Sequence, residues 1–164
     1  MKTIFLIGFM GSGKTTVAEI LSEKLSMKRL EMDEEIEKQQ SLKILEIFEQ
    51  FGETHFRLLE TELLQNIPET GLIVSTGGGV PMRKENRELL KKGSVVFLEA
   101  DWEEIVGRLQ GNSGRPLWNN SDAKAKRDLF DSRQPVYKQT ADIVVSVNGK
   151  SPETIAEEIT HVLK

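Results

Sequence analysis

The chain of 164 residues contains no cysteine, which excludes a disulfide framework, thiol catalysis and a thiolate zinc site and fits a reducing compartment. Two histidines, His55 and His161, are too few for a histidine-rich metal centre. No apolar run approaches the roughly 20 residues that a membrane-spanning helix needs, so no membrane partner is expected. Charge of neither sign is concentrated. There are 22 Lys and Arg against 26 Asp and Glu, a net charge of −4 and no basic block, so nucleic acid is not expected as a ligand. A local anion site is compatible with that balance. Met1-Lys2 and the apolar residues 4–10 superficially copy a secretion signal. No small-residue cleavage site closes that stretch and Gly11-Ser12-Gly13-Lys14 follows at once, so a cytoplasmic location is expected.

What is present is the make-up of a globular domain. Hydrophobic residues form 38% of the chain, enough to rule out wholesale disorder, and the length suits one domain over residues 1–164. Short β-branched and apolar runs recur at 3–7, 72–75, 95–99 and 143–147, each followed by a loop and a stretch of helical period. That alternation predicts βαβ units on a parallel sheet. After the first run, Val17, Ile20, Leu21 and Leu25 form a helical stripe opposite Glu19 and Lys24. From 42 to 64, Leu42, Leu45, Phe48, Phe56, Leu59 and Leu63 are again helically spaced, with Gly52 breaking the stretch into two helices inserted between strands. Further helices are predicted over 85–91 and 102–109, and a last one starts at Ser151-Pro152-Glu153 and packs Ile155, Ile159 and Val162. Residues 111–121 are rich in turn formers and have no period, which predicts a mobile loop, a lid over about 111–122.

Gly8-Phe9-Met10-Gly11-Ser12-Gly13-Lys14-Thr15 fits the pattern G-x-x-x-x-G-K-[ST], between an apolar strand and an amphipathic helix. Its glycines let backbone N–H groups turn toward a triphosphate, and the helix N-terminus adds positive potential. Lys14 can reach the outer phosphates and Thr15 can ligate Mg²⁺. Such a loop implies a nucleoside triphosphate but names no acceptor. Glu31-Met32-Asp33 lies at the end of a second strand-like stretch at 29–32. Strand C-terminal ends line the ligand crevice of a parallel sheet, so Glu31 and Asp33 are expected to face it together, one carboxylate for magnesium and one for a hydroxyl. An acidic helix start would use the same residue types. Gly77-Gly78-Gly79, after the run at 72–75, carries a high conformational cost unless a ligand or backbone comes close.

With these elements the chain resembles the shikimate kinase family. The resemblance rests on residues 8–16, on Asp33 with Ile36-Glu37, and on Ile44-Leu45-Glu46-Ile47-Phe48 leading into Gly52-Glu53 and Phe56-Arg57 with Glu60. It continues through Gly77-Gly78-Gly79, Arg108, Arg115-Pro116-Leu117, and Arg133 with Pro135-Val136-Tyr137, in family order along nearly the whole chain. It implies an α/β P-loop kinase fold of the nucleoside-monophosphate-kinase kind. That fold is a three-layer sandwich with a five-stranded parallel sheet flanked by helices, a substrate-binding helical segment over about 33–61 and a mobile lid. It also implies Mg²⁺-dependent transfer of the γ-phosphate of ATP to the 3-hydroxyl of shikimate, by a monomer.

Carried over position by position, the resemblance makes Gly11, Ser12, Gly13, Lys14, Thr15 and Thr16 the ATP loop. Asp33 becomes the residue that holds the acceptor hydroxyl and can act as base. Arg57 and Arg133 become the pair for the shikimate carboxylate, with Gly77, Gly78 and Gly79 beside it and Gly78 as backbone donor. Arg115 becomes the lid arginine that closes on the phosphates, Arg108 an arginine near the adenine, and Lys150 a basic residue beside it. Those roles make physical sense: a small polyhydroxy acid is best held by planar, bidentate cations, which Arg supplies. Phosphoryl transfer needs mainly positioning and charge neutralisation, here by Lys14, Mg²⁺ and Arg115, so losing Arg115 is expected to hurt turnover more than binding.

The chain departs from the family pattern at Glu31, where Asp is usual and contacts magnesium through water. The extra methylene still lets Glu31 serve the hydration shell, since magnesium keeps several waters. Met32 replaces a small residue and reads as a buried strand position. Trp118 follows Arg115-Pro116-Leu117 where Leu is usual, placed to cover the nucleotide or to pack on its own loop. Two other readings stand beside the first. Glu31 and Met32 motivate a related kinase with another hydroxy-acid acceptor such as gluconate. The altered magnesium carboxylate alone supports a catalytically silent nucleotide-binding module, which the intact Lys14, Thr15 and Arg115 oppose.

Overall fold

A computed structural model describes residues 1–110 and 120–163. The first apolar run is β1 (Ile4–Ile7), whose four side chains are all buried. A strand covered on both faces reads as a continuous apolar run, which is why no alternation is seen there. β1 lies at the centre of a five-stranded sheet ordered β2-β3-β1-β4-β5, with β2 (Lys28–Glu31), β3 (Leu72–Ser75), β4 (Ser94–Glu99) and β5 (Ile143–Ser146). Every neighbouring pair is parallel. Ser75 pairs with Leu6 on one side and with Glu31 on the other. This register brings the loop after β1, the end of β2 and the turn after β3 to one end of the sheet, where ligands bind in open parallel sheets.

Between β1 and β2 runs α1 (Lys14–Leu25), which packs on β3 and on α8 (Pro152–Leu163). Val17 and Leu21 are buried, whereas Ile20 and Leu25 sit at the margin of the core. The insertion between β2 and β3 holds three helices, α2 (Met32–Gln40), α3 (Ile44–Phe51) and α4 (Glu53–Asn66). Met32, expected in a strand, opens α2 instead and is fully buried. A carboxylate oxygen of Glu37 on α2 accepts from the Ile44 N–H at 2.9 Å, which fixes the start of α3 against α2. Gly52, at φ 86° and ψ 168°, makes the break between α3 and α4. Its N–H closes the last turn of α3 on Phe48 and its carbonyl accepts from Phe56 in α4. Few residues other than glycine adopt that backbone readily.

After β3 come a 3₁₀ turn (Val80–Met82) and α5 (Lys84–Leu90), then β4 and α6 (Trp102–Gln110). α7 (Asn120–Thr140) leads to β5 and α8. The predicted helical stripes are wider than the buried ones: Leu45 on α3 is 69% exposed and Val162 on α8 is 55% exposed. In both helices the inward residues, Ile47 and the pair Ile155 and Ile159, meet the core, and the others fall beyond its edge.

α7 is the one long helix that the periodicity does not reveal. Its buried anchors Phe130 and Tyr137 lie two turns apart in an otherwise polar sequence interrupted by Pro135. Phe130 meets Phe9 edge-on with ring centroids 5.3 Å apart, and Trp102 at 5.5 Å, so the helix is pinned to the first loop and to α6. The predicted lid lies outside the described residues except at its end, where 120–122 belong to the first turn of α7 and not to a loop.

Candidate active site

The loop after β1 needs its glycines for two separate reasons. Gly8, Gly11 and Gly13 have φ of 149°, 83° and 95°, and a Cβ on Gly8 would stand 2.9 Å from both the Leu98 carbonyl and Ser12 Oγ. Inside this turn the Lys14 ammonium donates to the carbonyls of Gly8 at 2.7 Å and Phe9 at 3.1 Å. Burial pulls its pKa down to about 8, while the charges of Asp33 and Glu31 work in the opposite direction. Thr15 and Thr16 sit exposed on the first turn of α1, which has no side-chain cap and so keeps its N-terminal amides open.

Arg108 on α6 lies over this loop, its Nη1 3.0 Å from where a Gly13 Cβ would be. Glu104 holds its Nε at 3.2 Å, and its Nη2 donates to the Val147 carbonyl after β5. Lys150 is turned elsewhere: its ammonium is bound to Glu158 of α8 at 2.9 and 3.0 Å, not to the loop. Arg115 and Trp118 lie outside the described residues.

Glu31 ends β2 and Asp33 stands in the first turn of α2, so the two carboxylates come from different elements, yet both act on Lys14. Burial raises the Glu31 pKa against the pull of the Thr15 and Ser75 hydroxyls and of Arg29. Asp33 is open to solvent on one side, but the protein on its other sides raises its pKa by desolvation, with Glu37 adding to the rise and Lys14 and Arg57 opposing it.

The three glycines after β3 lie close against charged side chains. None of them has a left-handed φ. A Cβ on Gly77 would meet Glu60 Oε2 at 2.9 Å and Asp33 Oδ1 at 3.2 Å, one on Gly78 would meet Arg133 Nη1 at 3.1 Å, and one on Gly79 would meet Arg57 Nη1 at 2.5 Å. Thus Arg57 from α4 and Arg133 from α7, far apart in sequence, reach the same turn. They share a cavity of about 230 Å³ with Gly79, Arg83 and Leu129 in its wall.

Arg57 donates to Glu60 at 2.8 Å and to Glu53 at 3.4 Å. Burial opposes its charge, but the Glu60 bond and charge, with Glu53 behind, outweigh that and raise the guanidinium pKa. Burial in turn raises the pKa of Glu60, against the pull of Arg57. An exposed i, i+3 ion pair contributes only about 0–1 kcal/mol. Glu60 is instead 1% exposed, which an i, i+3 spacing cannot announce.

Among the described residues, four buried side-chain polar atoms lack a hydrogen-bond partner: Ser12 Oγ, Glu31 Oε1, Glu60 Oε2 and Arg133 Nε. Folded proteins satisfy nearly all such atoms, so a cluster of exceptions marks where an outside group belongs. All four border the glycine-rich loop, the end of β2 or the turn after β3.

The family model of shikimate kinase matches residues 10–164. The shikimate kinase of Sulfurihydrogenibium is 44% identical, with 100% of this chain and 99% of the relative covered, and that of Persephonella marina is 42% identical over 97% of each. Among solved structures, a shikimate kinase from Acinetobacter baumannii in complex with shikimate has a TM-score of 0.90 at 35% identity, covering 99% of this chain and 93% of that one. The Aquifex aeolicus shikimate kinase gives 0.87 at 36% identity, covering 98% and 95%.

Proposed function

The chain belongs to the shikimate kinase family, and from that premise we propose how its residues divide the reaction. ATP phosphorylates shikimate, and in this reading the γ-phosphate goes to the 3-hydroxyl, giving shikimate 3-phosphate and ADP. The observation that carries the reading is that the four buried polar atoms lacking a hydrogen-bond partner among the described residues lie two beside the phosphate loop and two beside the glycine turn. The loop amides with Ser12, Thr16 and Lys14 cradle the triphosphate, and Arg108 borders the nucleotide. Arg57 and Arg133 take the carboxylate of the acid, with the Gly78 amide beside them. Asp33 then receives the hydroxyl proton as the phosphoryl group arrives. Arg115 neutralises the charge that spreads over that group. Lys150, paired with Glu158 before nucleotide arrives, is the basic residue beside the adenine in this reading. The proposal includes a monomer of one domain in the cytoplasm; among the described residues no helix is long and apolar enough to cross a membrane.

Release of ADP from ATP and Mg²⁺, measured with and without shikimate, tests the reading. A shikimate-dependent rate far above background is expected. Turnover with gluconate and none with shikimate would replace the acceptor, and tight ATP binding without transfer to either would leave a silent module.

Magnesium fits the residues present. Thr15 offers a hydroxyl and Glu31 a buried carboxylate oxygen without a hydrogen-bond partner, both hard oxygen donors of the type the ion takes. Among the described residues no three His, Cys, Asp or Glu gather as a metal cage, so the ion would arrive with the phosphates and their waters. Bound there, it supplies charge neutralisation on the triphosphate. Glu31→Gln is therefore expected to raise the Mg²⁺ concentration for half-maximal rate about tenfold, as loss of an outer-shell partner does. An unchanged Mg²⁺ titration at fixed ATP would take Glu31 out of the metal's surroundings.

The close approach at Gly79 gives a further prediction. Gly79→Ala pushes a methyl into the Arg57 guanidinium, and the loss of one charge-assisted bond should weaken shikimate binding about tenfold while ATP binding stays the same. Separate titrations of the two ligands check this split.

A further inference from the structure

We propose that Tyr137 is a positioning residue for the acceptor: its hydroxyl ties the Gly78 carbonyl into the core and holds the Arg133 guanidinium beside it, so that the turn and the cation form one preset carboxylate cradle. The inference rests on the reading above that Arg133 and the glycine turn receive the acid's carboxylate.

Tyr137 is fully buried in α7, with its ring against Phe97 of β4 at 5.1 Å between centroids. A phenol in such a place costs desolvation unless its hydroxyl is bonded. It donates to the Gly78 carbonyl at 2.7 Å. That carbonyl belongs to a stretch of three glycines, the backbone least restrained by its own side chains. In a trans peptide N–H and C=O point in opposite directions, so fixing the Gly78 carbonyl turns the Gly79 N–H away from Tyr137. The turn's own hydrogen bonds, from Val80 to Gly77 and from Met82 to Gly79, use neither the Gly78 nor the Gly79 N–H.

Arg133 stands one helical turn before Tyr137 on the same face of α7. Its Nη1 and the Tyr137 oxygen lie 3.1 and 3.5 Å from the same point, where a Cβ of Gly78 would be. Burial pushes the phenol pKa up to about 12, with Arg133 only partly offsetting it, so the hydroxyl stays a donor at any working pH. One oxygen thereby restrains both the backbone and the guanidinium, whose Nε is buried without a partner.

Tyr137→Phe keeps the ring and removes the oxygen. It is expected to raise KM for shikimate about five- to tenfold, the scale of one lost hydrogen bond, with a smaller change in kcat, an unchanged KM for ATP and a melting temperature within a few degrees of the parent. A shikimate KM that does not move overturns the role. Arg133→Gln, run in parallel, separates the two layers. If it raises the shikimate KM and Tyr137→Phe does not, the positioning role alone falls. If neither variant moves it, the carboxylate reading falls too.

Should the Phe variant not fold, the wild-type side chain can be followed directly, because Tyr137 is the chain's one tyrosine and 3-fluorotyrosine labels that site alone. Its fluorine resonance is expected to shift saturably with shikimate and not with ADP. A resonance blind to shikimate overturns the proposal.

Discussion

Asp33→Asn should abolish shikimate-dependent turnover, lowering kcat by about 10²–10⁴-fold, the range that a positioned general base contributes. The substitution keeps the shape of the side chain and removes its ability to take a proton. Asp33 is suited to that role because desolvation and Glu37 raise its pKa, which makes it a stronger base than a solvated aspartate. The sign for stability runs opposite to activity. A carboxyl whose folded pKa lies above the unfolded value favours its protonated form in the fold, so at neutral pH the charged Asp33 costs stability. The Asn variant should therefore melt no lower than the parent while losing its rate, as happens where a strained group serves function. For the parent, the rate should fall as pH drops through the raised pKa, above the range of an ordinary aspartate. Thermal unfolding and a pH–rate profile on the two proteins decide it. An active Asn variant would remove Asp33 from proton transfer, and an unfolded one would show that its carboxylate supports the structure.

The middle of the sheet was legible in the sequence because β1, β3 and β4 are largely buried and read as apolar runs, whereas β2, with Lys28 and Arg29 exposed, carries no such run. The phosphate loop was legible because its glycine spacing is dictated by backbone geometry. α7 was hidden, since among its described side chains only Phe130 and Tyr137 are buried in an otherwise polar stretch. The purpose of Gly77-Gly78-Gly79 was half legible. Their cost was visible, but what comes close to them is Asp33, Glu60, Arg57 and Arg133, brought there by the tertiary fold from three helices. Glu60 and Tyr137 belong to the family resemblance by position, yet no local pattern could assign them work, because their importance lies in burial. Lys150, placed near the nucleotide by the resemblance alone, has its ammonium paired with Glu158 on α8 in the absence of nucleotide.

Lys14→Ala carries the other large expectation, a loss of roughly 10³-fold in turnover with weaker ATP binding, the scale of removing one preorganised cationic donor from a phosphoryl-transfer site. The geometry explains why no other group substitutes. The Lys14 ammonium is already held inside its loop by the Gly8 and Phe9 carbonyls, so little rotamer freedom is lost when phosphates arrive. Enclosure lowers its pKa to about 8, and this gives the prediction a signature besides rate. In the free enzyme kcat/KM for ATP should decline as pH rises through about 8, because the uncharged amine no longer draws the phosphates. Residual activity of the Ala variant should lack that limb. The stability sign follows from the same shift. Between about 8 and the ordinary lysine value of 10.5 the unfolded chain binds more protons at this site than the folded one, so the parent should gain stability with pH relative to Lys14→Ala across that window. Melting curves of both proteins at pH 7.5 and about 10 give the comparison. A constant difference between them would mean that Lys14 keeps its charge throughout, and a flat kcat/KM profile would place the alkaline limb elsewhere.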